Sequence, residues 1–94
     1  MTADLAREIA AALPHQQRRA LLMLRRMNSL IRHDSGYWRA AGKISRQISN
    51  GTIVGLQAAG LIVIALPNHH RRHARAAVTP LGGAVTLEID RIAP

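Results

Sequence analysis

Cysteine is absent from this 94-residue chain, and so is phenylalanine. Without cysteine there is no disulfide framework, no zinc finger and no thiol nucleophile. Tyr37 and Trp38 are the only aromatics besides histidine, so a core has to be assembled from Leu, Ile, Val, Ala and Met. Acids are scarce as well. Asp4, Glu8, Asp34, Glu88 and Asp90 are the full set, and none falls between residues 35 and 87. That stretch holds no paired carboxylate, its serines have no evident His and Asp partners, and no glycine-rich phosphate loop follows a strand. The residues therefore predict a protein that is not an enzyme and needs no cofactor. Long apolar runs are missing too. The longest, Leu61 to Leu66, is far short of the roughly 20 residues that span a bilayer. The N-terminus carries Asp4 and Glu8 and lacks a signal-peptide core. These absences predict a cytoplasmic protein with no membrane partner.

What is present is positive charge. Lys and Arg total 13 against 5 acids, giving a formal net charge of +8. Lys43 is the single lysine, so the other cations are arginines, which suit bidentate phosphate contacts. Such a field attracts polyanions. Hydrophobic residues at 48% exclude a disordered tail, and the length suits one domain over residues 1–94.

The pattern along the chain predicts an α+β fold, mainly helical. Thr2 to Leu13 reads as a helical extension, with Leu5, Ile9 and Leu13 at helical spacing. Pro14 interrupts it and starts a longer helix over His15–Ile31, with Leu21, Leu24, Met27, Leu30 and Ile31 as its apolar stripe. Arg18, Arg19, Arg25 and Arg26 crowd the rest of that helix and read as a solvated face or a second phosphate-contacting surface. Tyr37-Trp38-Arg39 suggests a brief strand, and Trp38 a core or hinge residue. Ala40 to Ser49 is ambiguous, with a helical turn as one option. Ser49 or Asn50 can cap a helix that runs to a stop at Gly60. Leu61–Leu66 reads as a strand, Pro67–His73 as a polar loop and Ala74–Thr79 as the returning strand. Thr79-Pro80 then opens the last helix.

Two of these segments carry a family resemblance. Ile48-Ser49-x-x-Thr52-Ile53-x-x-Leu56-x-x-x-Gly60-Leu61-Ile62 resembles the recognition-helix end of winged helix-turn-helix proteins. Val78-Thr79-Pro80-Leu81-Gly82 resembles the segment that follows the wing in MarR-like bacterial regulators. The resemblance covers roughly residues 36 to 90 and implies a helix in the major groove flanked by a small β-hairpin wing. It also implies a double-stranded DNA-binding regulator of transcription, associated with the nucleoid. On that basis Arg46, Gln47, Ser49, Asn50 and Thr52 are the groove candidates, and Arg39 and Lys43 the phosphate contacts. Asn68, His69, His70, Arg71, Arg72, His73 and Arg75 form the basic wing. The histidines lack acidic or thiol neighbours, which argues against a metal site.

The recognition helix departs from the pattern. With Ile53 and Leu56 inward, its opposite face reads as Gly51, Gly55 and Ala58, which offer no base-edge hydrogen bonds. Two other readings follow: a protein-interaction module that docks on an acidic partner, and a sequence-tolerant architectural DNA binder. The apolar first and last helices and the strand from Leu61 further suggest a homodimer.

Overall fold

The computed structural model describes residues 3–33, 35–39, 47–69 and 72–92. Four helices and five strands are present among them. In chain order they are α1 (Ala3–Ala12), α2 (His15–Met27), β1 (Leu30–Arg32), β2 (Tyr37–Arg39), β3 (Ile48–Ser49), α3 (Asn50–Ala58), β4 (Ile62–Ala65), β5 (Arg75–Val78) and α4 (Pro80–Ile92). The strands form one antiparallel sheet in the order β3-β2-β1-β5-β4. The sheet is thus larger than the small hairpin predicted.

Side chains alternate across a pleated sheet, so register assigns each residue to a face. Leu30 lies opposite Ala76, Trp38 opposite Ile48, and Ile62 opposite Val78. Leu30, Trp38, Ala76 and Ile62 are buried in the core, and Ile48 and Val78 pack against it. The helices cover this one face. Leu21 and Leu24 of α2, Ile53 and Leu56 of α3, and Val85 and Ile89 of α4 fill the space beneath them. α1 packs on α4 through Ala6 and Ala10. An Ala-lined face lets two helix backbones come close.

The long helix ends earlier than its apolar stripe implies. α2 stops at Met27, and Asn28 follows with φ 69°. Asparagine is one of the few residues that enter this left-handed region at low cost. Leu30 and Ile31, which continue the helical spacing, instead belong to β1. Their place is settled by pairing with β2 and β5. Two further expectations change. Ile48-Ser49 is a strand, not the end of a helical turn, and residues 40–46 lie outside the described residues. The hairpin strands are shorter at both ends than the apolar run suggests.

Candidate nucleic-acid interface

The start of α3 is the best-anchored part of the predicted interface. Ser49 has an extended backbone, and its Oγ accepts a hydrogen bond from the Thr52 amide at 3.2 Å. The Ser49 and Thr52 hydroxyls also meet at 2.8 Å. This is the N-cap arrangement expected from the residue types. Next to it the Trp38 Nε1–H donates to Asn50 Oδ1 at 3.1 Å. The indole is itself buried, so the sheet holds the first residue of the helix through one side chain. Trp38 is a core residue, as its sequence setting implied.

The end of α3 is fastened in a different way. Gly60 adopts φ 76°, which stops the helix. The Thr79 hydroxyl donates to the Gly60 carbonyl at 2.7 Å and accepts from the Gly82 amide at 3.0 Å. The Thr79 amide donates to the Leu61 carbonyl at 3.0 Å. One threonine therefore caps α4 and ties it to the turn that leaves α3. Gly82 sits so close to that turn that a Cβ would lie 2.0 Å from the Leu61 carbonyl oxygen. The two motifs read separately along the chain meet here.

The outward side of α3 differs from the expected one. A Cβ on Gly55 would meet Gln17 of α2 at 2.7 Å, so this glycine faces the neighbouring helix and not solvent. Helical periodicity had suggested the opposite because α2 covers a wider arc of α3 than Ile53 and Leu56 alone would mark. Gly51, Val54, Gln57 and Ala58 are exposed. Gln57 was missed as a candidate, although it lies seven residues beyond Asn50 and hence near the same helical face. Its amide is suited to an adenine edge.

Of the predicted residues, Gln47, Ser49, Asn50 and Thr52 gather at the start of α3. A groove of about 600 Å³ opens there between α2 and α3, lined by Gln16, Arg19 and Met23 on one side and by Gln47, Ser49 and Thr52 on the other. Arg19 is thus a cation beside the helix start that the sequence did not distinguish from its neighbours. Arg18 is structural: its Nη2 donates to the Ala10 carbonyl at 3.1 Å, at the end of α1. Arg25 pairs with Asp90 at 2.7 Å. Arg39 and Arg75 do not join the cluster. They stand on either side of Ile31 in register, on the sheet face turned away from the helices. Asn68, His69, Arg72 and His73 lie in the segment that connects β4 to β5, and all but His73 are exposed. Lys43, Arg46, His70 and Arg71 lie outside the described residues.

No protein-family model, curated protein or solved structure matches the chain. The site therefore has to be read from its own chemistry. Among the described residues, no group of three or more His, Asp or Glu side chains could hold a metal ion. No helix among them is long and apolar enough to cross a membrane.

Charge is sorted across the fold. Glu88 lies within 3.6 Å of Arg7 and 3.4 Å of Arg91, and Asp90 pairs with Arg25. Asp4 and Glu8 are on α1. Among the described residues every acid thus sits on α1 or α4, and Glu88 and Asp90 offset arginines there. The start of α3, the sheet and the β4–β5 connection carry cations with no acid among the described residues.

Proposed function

We propose that the chain binds double-stranded DNA as a winged helix-turn-helix protein and acts as a small transcriptional regulator. The observation that carries this reading is the order β1-β5-β4, in which α3 runs directly into a hairpin with a basic connection. A capped helix followed by such a hairpin has the parts that a recognition helix and wing require. The one-sided charge adds to it, since cations unopposed by acids attract phosphate.

In this reading the N-terminal half of α3 approaches the major groove, with Gln47, Asn50 and Thr52 nearest the bases and Gln57 further along. The hairpin connection, including Arg72, lies on the backbone or minor groove. Asn50 has its amide oxygen already engaged by Trp38, so base reading falls more heavily on Gln47 and Gln57. Few base-reading groups and many cations favour modest sequence preference over strong selectivity. Nucleoid association follows from the same charge. A homodimer would present two such units to two half-sites. Leu87 at 52% and Leu66 at 76% exposure, with Leu5, Val54 and Val63 also exposed, offer apolar side chains to a second copy.

Binding to specific and random duplexes across a salt series tests the proposal. We expect binding to both, weakening steeply with salt, and a measurable preference for selected sequences. Absence of binding at low salt would overturn the duplex reading. Indifference to sequence would reduce it to an architectural role. Light scattering that shows a monomer at micromolar concentration would remove the dimer.

A further inference from the structure

We propose that the open face of the sheet is a platform for single-stranded nucleic acid, separate from the duplex-binding surface. All four helices lie on the other face, so this one meets solvent. Val63 on it is 55% exposed and Arg39 is exposed.

Three features point to a single strand. First, the face is cationic. Arg39 and Arg75 flank Ile31 in register, which sets their backbones two strands apart, about 10 Å. No acid shares the face among the described residues. A second copy of the same face would bring arginines against arginines, whereas a phosphate backbone complements them. Second, the face carries a ready-made ring pair. The His33 and Tyr37 rings stack with centroids 4.8 Å apart and planes 7° from parallel. The pair is held in place: the His33 amide donates to the Tyr37 carbonyl at 2.7 Å, and His33 Nδ1 accepts from the Ser35 amide at 3.3 Å. Rings fixed before binding lose little freedom when a base joins the stack. Third, stacked aromatics serve unpaired bases. Bases inside a duplex are already stacked on one another, while those of a single strand are free to lie on a ring. Ile31 and Val63 add apolar surface for the sugar and base faces.

This inference does not depend on duplex binding by α3 and the hairpin, and one experiment separates the two. Fluorescein-labelled oligothymidylate and oligouridylate of about twelve nucleotides, within the range of single-strand platforms, and a mixed-sequence duplex are titrated with the whole protein at low salt. Anisotropy is the readout, and the DNA and RNA arms distinguish the two sources of single strands. Tyr37→Leu keeps a strand-compatible side chain and should weaken single-strand binding by about fivefold or more, with duplex binding unchanged. Tyr37→Phe keeps the ring and should retain binding. Arg39→Gln and Arg75→Gln should each lower the slope of log affinity on log salt by about 0.7. Arg25→Gln removes the same charge from the helical side and should leave single-strand binding unchanged. The platform is overturned if the native protein ignores both single strands. It is equally overturned if Tyr37→Leu binds them as the native protein does, or loses duplex and single strand in parallel. If Tyr37→Leu does not fold, the two sheet arginines decide, and unchanged salt slopes overturn the proposal. Failure on duplex alone would remove the winged-helix reading and leave the platform standing.

Discussion

Neighbouring glycines at residues 82 and 83 have opposite roles. A methyl group at Gly82 would run into the Leu61 carbonyl and the Val78 side chain. At Gly83 it would meet nothing within 4 Å. Gly82→Ala should therefore destabilise the fold by about 3 kcal/mol or more, the upper range for overpacking. Gly83→Ala should stabilise it by about 0.5–1 kcal/mol, because glycine inside a helix is costly. Urea denaturation of the two variants checks both signs, and equal effects would contradict the close approach of α4 to the turn at Leu61. The sequence motif stops at Gly82 without saying why, since the space there is closed by the turn at Leu61, some 20 positions away. The caps were legible. Ser49 and Thr79 have hydroxyls where a helix begins, and Gly60 stands where one must stop. Their chemistry acts on backbone a few residues off, so local pattern suffices. Gly55 misled for the converse reason: its environment is Gln17 on another helix.

α2 and β1 share one apolar stripe, and Asn28 divides them. A β-branched residue in its left-handed conformation costs about 1–2 kcal/mol. Asn28→Val should lower stability by that amount, while Asn28→Gly should leave it within about 0.5 kcal/mol. Chemical denaturation distinguishes the two, and a tolerated valine would mean that the helix can run on. Leu30 and Ile31 fit a helical period as well as a strand, and the decision rests with partners at Trp38–Arg39 and Arg75–Ala76. Strands of two or three residues, such as β1, β2 and β3, are too short to express alternation. The sequence consequently marks the longer hairpin and, through its two aromatics, β2, but not β1 or β3. α3, bounded by a cap and a glycine, and the start of α4 at Thr79-Pro80 are legible to within a residue or two.

At the scale of the molecule, net charge was evident from composition but its distribution was not. The gap in acids between residues 35 and 87 hinted at it. Folding brings the two ends of the chain together as α1 and α4, so the acids at both ends collect on one side. Under the duplex reading, Arg71→Gln with Arg72→Gln should weaken binding to all duplexes alike and lower the salt slope by about 0.9 for each phosphate no longer neutralised. Arg91→Gln, which removes a partner of Glu88, should change neither. Anisotropy titrations over a salt series read both, and an unchanged slope in the hairpin variant would take that segment out of the interface. The candidate site was thus legible in its chemical character and only partly in its geometry, because Arg39 and Arg75 alternate to the far face of the sheet. Trp38 adds a practical consequence. It is the chain's sole tryptophan, buried where the sheet meets the first turn of α3 and bonded to Asn50. The protein thus carries an intrinsic fluorophore at the joint between its two layers. Separation of that joint would wet the indole and move its emission to the red, with no label attached.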